Sequence, residues 1–88
     1  METAYKRSFL KDLRRLPSDY RRRVEKFALE ESVAADALGE LGLCVKITGY
    51  SHYYRKRFGN YRVGFTIKEN VITFYRVLHR REIYRYFP

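Results

Sequence analysis

Acidic side chains are scarce in the second half of this chain. Residues 43–88 carry two, Glu69 and Glu82, against ten Lys and Arg, whereas residues 1–42 hold eight against nine. The formal charge of +9 is therefore concentrated in one half, where it cannot be neutralised by ion pairing within that half. Other scarcities narrow the field. A single cysteine, Cys44, excludes an internal disulfide and fits a reducing cytoplasm. No apolar run approaches the roughly 20 residues of a membrane span. The opening Met1 to Arg7 lacks the apolar core of a secretory signal, so a cytoplasmic location is expected. Cys44 and His52 have no partners at metal-ligand spacing, so no metal or other cofactor is assigned. Repeats and low-complexity tracts are absent.

What is present fits one domain, residues 1–88, with 45% hydrophobic residues to build a core. Of the 15 aromatic side chains, 11 lie in the basic half. Positive charge interleaved with aromatic rings suits a surface that grips phosphates and stacks on bases. A basic face also suits an acidic protein partner, or simply keeps a domain soluble.

The first forty residues read as a helical hairpin. Tyr5 to Arg7 reads as a short strand and Ser8 as an N-cap. Phe9, Leu10, Leu13 and Leu16 follow at helical spacing, and Pro17 stops the pattern. Ser18 is a second N-cap candidate, followed by a stripe of Tyr20, Val24, Phe27, Ala28 and Glu31. The small residues between Ala34 and Gly42 mark the crossing from helices to sheet. Strands then run from Tyr53 to Phe58, Tyr61 to Ile67 and Val71 to Leu78, joined at Gly59-Asn60 and at Lys68-Glu69-Asn70. Helices first and strands after imply an α+β domain, an antiparallel sheet with the helix pair on one face.

The first hairpin carries the functional signal. Tyr61, Val63, Phe65 and Ile67 alternate with Arg62, Gly64 and Thr66, so the apolar set faces the helices and Arg62 the open side. A two-residue Gly59-Asn60 turn pairs Arg57 with Arg62 and Arg55 with Gly64. Opposed residues have Cβ atoms about 4.5–5.5 Å apart, and like charges facing each other there repel. Folding does not require such an arrangement, whereas a polyanion crossing the face does. Gly64 opposite Arg55 reads as a groove without a side chain. Lys56 and Arg76 break the pattern, since both fall where apolar residues are expected.

The stretch Tyr54-Arg55-Lys56-Arg57-Phe58-Gly59-Asn60-Tyr61-Arg62, the closing His79-Arg80-Arg81-Glu82-Ile83-Tyr84 and the early helix around Leu13 and Leu16 resemble RelE-type toxins of bacterial toxin–antitoxin systems. The resemblance covers nearly the whole chain. It implies a compact α+β fold and an endoribonuclease that cuts mRNA on the ribosome and so blocks translation. It also implies inhibition by a cognate antitoxin, expected to be acidic and helical. By resemblance, Arg62, Arg80, Tyr84 and His79 are the catalytic candidates. Arg55, Arg57, Lys56 and Arg81 are the candidates for RNA phosphate. Lys56 stands where the family usually has an apolar residue. Some members carry lysines where Arg55 and Arg57 stand; arginine stays charged at working pH, so these two are read as binding groups.

Metal-free RNA cleavage uses the substrate's 2′-hydroxyl as nucleophile. It attacks the adjacent phosphorus and expels the 5′-oxygen, so the protein must align the groups, stabilise charge and move protons. Arg62 and Arg80 suit bidentate phosphate contacts. Tyr84 suits the 2′-hydroxyl, and His79 a general acid or base. Two alternatives compete: a ParE-like toxin that inhibits DNA gyrase without cutting RNA, and a basic nucleic-acid-binding module without catalysis.

Overall fold

Strand β4, Tyr61–Lys68, is the middle of the sheet, and its alternating sequence fixes which way the whole sheet faces. In this computed structural model, which describes all residues 1–88, the strand order is β1-β5-β4-β3-β2. The strands are β1 (Glu2–Tyr5), β2 (Cys44–Lys46), β3 (Tyr53–Phe58), β4 and β5 (Val71–His79). Helices α1 (Arg7–Arg15) and α2 (Ser18–Glu25) precede the main sheet. A π-helical stretch, Lys26–Glu31, and a last turn α3, Ser32–Ala34, continue α2. A 3-10 turn at Leu38–Leu41 crosses to β2, and α4 (Ile83–Tyr86) closes the chain. No helix is long and apolar enough to cross a membrane.

The helix face of the sheet buries Val63, Phe65, Ile72, Phe74 and Val77 against Phe9, Leu13, Val24, Phe27 and Ala28. Phe27 meets Phe65 and Phe74 edge-on at 5.9 and 5.7 Å between centroids, a favoured aromatic geometry. The expected helical hairpin and α+β class are both present. Edge strand β1 differs from expectation. It spans Glu2–Tyr5 rather than Tyr5 to Arg7, and it pairs in parallel with β5, Glu2 beside Val71 and Tyr5 beside Phe74. The sheet is therefore mixed, because the first and last strands of the chain meet and no local signal marks that pairing.

Four helical assignments also shift. Arg7 already belongs to α1, so Ser8 lies inside the helix rather than capping it. Its hydroxyl donates to the Tyr75 carbonyl, on the part of β5 that β1 does not cover. Ser18 is likewise inside α2, with Pro17 at the cap position. Leu10 faces outward, 39% exposed, while Asp12 is buried in its stead. In the second helix the π stretch inserts an extra residue into the stripe. Ser32 is buried, donating to the Ala28 carbonyl, and Glu31 is exposed.

Each charged residue that broke the sequence pattern has a partner. A bulge between Gly64 and Phe65 leaves Tyr75 unpaired, so Arg76 lies opposite Gly64 and Val77 takes the core position opposite Val63. Arg76 then donates through Nε and Nη2 to the Asp12 carboxylate, at 2.7 and 3.0 Å, and the Val77 amide donates to the same group at 3.1 Å. These bonds raise the Arg76 guanidinium above the ordinary arginine range, against the opposing effect of burial. Lys56 does face the helices. Its ammonium donates to the Leu41 carbonyl and lies 4.8 Å from the centre of the Phe27 ring.

Two stability predictions follow from these contacts. Asp12→Ala leaves the Val77 amide and Arg76 without their acceptor; chemical denaturation should show a loss of about 2–3 kcal/mol. Asp12→Asn, which keeps an acceptor, should lose less. Glu69 and Asn70 both have positive φ, 52° and 64°, as a type I′ hairpin turn requires. Glutamate is strained there and asparagine is not, so Glu69→Asn should raise stability by about 0.5–1 kcal/mol in the same assay.

Candidate functional site

The Gly59-Asn60 turn determines where the arginines go. Gly59 has φ 57°, the left-handed region that favours glycine, and a Cβ added there would lie 2.5 Å from the Tyr20 hydroxyl, so a larger residue would displace that ring. The tight turn fixes the register expected from sequence: Phe58 opposite Tyr61, Arg57 opposite Arg62, Arg55 opposite Gly64. Beyond β3, Val45 of β2 lies opposite Arg55. The open face thus carries a row from Val45 through Arg55 and Gly64 to Arg76, and beside it Arg57, Arg62 and Leu78.

Arg55, Arg57 and Arg62 line one cavity of about 290 Å³ together with Leu43, Val45 and Tyr84. The Gly59 carbonyl draws the guanidinium groups together. It accepts from Arg62 Nη1 at 2.8 Å and from Arg57 Nε at 3.3 Å. The Arg55 guanidinium lies 5.1 Å from the centre of the Tyr84 ring, a cation–π contact. The ion pairs of the structure are Arg21–Glu25, Arg22–Asp19 and Arg76–Asp12, so no carboxylate neutralises Arg55, Arg57, Arg62 or Arg80. Arg62 records the strain: desolvation first, then repulsion from Arg57, Arg80 and Arg55, pull its guanidinium below the ordinary arginine range, with Tyr84 acting the other way. A phosphate placed among these groups relieves that repulsion.

The remaining candidates separate. Arg80 is exposed at the end of β5, its amide donates to the Asn60 carbonyl at 2.7 Å, and its charge is felt at Arg62. His79 is not brought to the cavity. It pairs with Tyr61, whose side chain faces the helices, and the two rings meet edge-on at 5.6 Å. It lines a different recess, with Asp12, Arg15, Arg76 and Glu82. Lys56 also points to the helix side, and Arg81 is exposed with its amide donating to His79 Nδ1. Strand alternation explains both displaced candidates: Lys56 lies between Arg55 and Arg57, and His79 follows Leu78, each one step off the open face. Tyr53, Tyr54 and Phe58 pack into the sheet and core and offer no stacking platform.

The groove expected at Gly64 is filled. Phe87 occupies it, 3% exposed, between the rings of Tyr53 and Tyr75 at 5.5 and 5.6 Å. A Cβ on Gly64 would clash with the Phe87 ring. Phe87 and Ile83 are the buried residues of the closing segment, whereas Tyr84 and Tyr86 are 62% and 51% exposed. Tyr86 rests on Arg76, 4.9 Å from guanidinium carbon to ring centre. The position of Tyr84 therefore depends on a glycine two strands away from Val45. Sequence reading missed Phe87 and Asp12 because each acts through a long-range contact. Gly64→Ala should lower stability by about 1–3 kcal/mol through overpacking and speed amide exchange in residues 83–87. Adding Phe87→Ala should cost less than the sum of the two single changes.

Comparison with known proteins identifies the family and the fold. A family model described as ParE toxin of type II toxin-antitoxin system, parDE, matches residues 4–84. Toxin RelE3 of Methanocaldococcus jannaschii is 44% identical over 89 residues, covering 100% of both proteins. A chain of the RelB-RelE antitoxin-toxin complex from Methanococcus jannaschii superposes with a TM-score of 0.80 at 40% identity, over 97% of this chain and 99% of that one. A chain of the archaeal RelE-RelB complex from Pyrococcus horikoshii OT3 gives 0.62 at 25% identity, over 90% and 93%. The chain belongs to the ParE/RelE family of toxins of type II toxin–antitoxin systems.

Proposed function

We propose that this toxin is an endoribonuclease that cuts mRNA on the ribosome, in the cytoplasm, through the substrate's own 2′-hydroxyl. The observation that carries the reading is the cavity that Arg55, Arg57 and Arg62, free of carboxylates, line together with Tyr84. Arg62 grips the scissile phosphate and stabilises the charge that builds on its oxygens during attack. Arg55 and Arg57 hold flanking phosphates. Arg80, exposed at the end of β5 and felt at Arg62, adds field along the same path. Tyr84 reaches the 2′-hydroxyl and assists its deprotonation or alignment. His79 takes no part, because it lies on the other side of the sheet.

A toxin of this kind requires restraint. The relatives from Methanococcus jannaschii and Pyrococcus horikoshii were each crystallised with RelB. We infer an equivalent antitoxin here, with an acidic helical segment that masks the uncompensated arginines. The matching family model is named for ParE, which keeps gyrase inhibition as the competing reading. Overproduction in bacteria followed by mapping of mRNA ends separates the two. New 5′ ends within coding regions support cleavage; intact transcripts together with blocked supercoiling of plasmid DNA by gyrase support the other. In the cleavage assay, Arg62→Ala and Tyr84→Phe should each lower the rate by about 100-fold or more. His79→Ala should stay within about threefold of the parent, as expected for a residue outside the cavity.

A further inference from the structure

The cavity has two chemically different walls, and the proposed cleavage uses only one. Arg55, Arg57 and Arg62 form the cationic wall, and Leu43 and Val45 form the other. Leu43 is 86% exposed and Val45 46% exposed. Both belong to the outermost segment of the sheet, where the free edge of β2 faces solvent. Exposed edges usually carry charged side chains that discourage association. On β2, Lys46 serves that purpose, but it pairs with Tyr54, on the helix side. The side chains turned toward the arginines are aliphatic.

Strand register explains how they get there. Val45 is paired with Arg55, so both side chains stand on the open face. Leu43, just before the strand, lines the same cavity as Val45 and Arg57. Cys44, between them, turns inward beside Lys56, half-buried. Aliphatic side chains beside a carboxylate-free cationic row match the two parts of a nucleotide: a flat, weakly polar base and a charged phosphate. Tyr84, over Arg55, lines the same cavity and offers its phenol to the sugar.

We propose that Leu43 and Val45 form a nucleobase subsite, taking the base of one nucleotide that flanks the phosphate held by the arginines. The proposal rests on the endoribonuclease reading and adds to it a contact that senses the base rather than the backbone. Apolar contact with a base face is sequence-tolerant, so the subsite adds affinity and positions the strand more than it selects one base.

Fluorescence anisotropy with the full chain tests this. The probe is a seven-nucleotide RNA, methylated at every 2′-oxygen so that it cannot be cut, and a set of the same RNA with one abasic sugar at each position in turn. Leu43→Ser is the variant of choice, because an 86% exposed side chain contributes little to folding. Its thermal melting should match the parent's. For the parent, one abasic position should weaken binding about fivefold, as loss of apolar contact between a base face and two aliphatic side chains does. For Leu43→Ser, the same abasic change should weaken it less than twofold, because the contact is already gone. Equal penalties in both proteins overturn the subsite while leaving salt-sensitive RNA binding, and with it the nuclease reading, intact. Absence of any RNA binding overturns both. A Leu43→Ser protein that binds every RNA as the parent does, yet no longer retains its co-expressed antitoxin, assigns the wall to that protein and overturns the subsite.

Discussion

Repulsion among Arg55, Arg57 and Arg62 is the constraint around which this molecule is arranged. Opposed like charges on a sheet face cost stability, and nothing within the fold offsets them with a carboxylate. They are tolerated because the turn at Gly59 fixes the register and its carbonyl accepts from both Arg57 and Arg62. A slip of β3 by one residue would send Arg55 and Arg57 to the core and bring Lys56 and Phe58 outward, so the aromatic core on the helix side enforces the charge cluster on the open side. The cluster is thus held by hydrophobic burial, and it is completed electrostatically only when an anion arrives.

Elsewhere, charges that reach inward are satisfied. Asp12 accepts from Arg76 and from the Val77 amide, and Lys56 donates to the Leu41 carbonyl over an aromatic ring. No buried side-chain polar atom lacks a partner. Against that background the uncompensated arginines are a departure confined to one place, as functional sites often are. The closing segment shows the same economy. Short helix α4 has no side-chain cap, and its place rests on Ile83 and Phe87 packing, on Tyr86 against Arg76 and on Tyr84 over Arg55.

Much of this was legible in the sequence, and for identifiable reasons. The central hairpin has a strict two-residue alternation and a glycine turn, both local signals, and its pairing came out as read. The family resemblance rests on the same stretch and on the closing segment. What escaped depends on residues far apart in the chain. The parallel pairing of β1 with β5 joins the two ends of the sequence. The bulge at Tyr75 moves Arg76 off the core row, and nothing in Phe74-Tyr75-Arg76 announces it. The π stretch shifts the helical stripe from Glu31 to Ser32. His79 was named with the arginines by family resemblance, and Lys56 for its charge although the alternation already set it on the core face; strand alternation turns both away from the cavity. Phe87 closing over Gly64 turned an expected open groove into a seat for the segment that carries Tyr84.

The central claim is that these arginines are an RNA phosphate site. The salt dependence of binding tests it most directly, because each phosphate neutralised on a single strand contributes a slope of about −0.7 in the logarithm of the association constant against the logarithm of salt concentration. With Arg55, Arg57, Arg62 and Arg80 engaged, the account predicts a slope of about −3 for a short, uncleavable RNA, shrinking by about 0.7 when Arg57 is replaced by alanine. A slope that stays the same after that replacement, or one near zero in the parent, contradicts it.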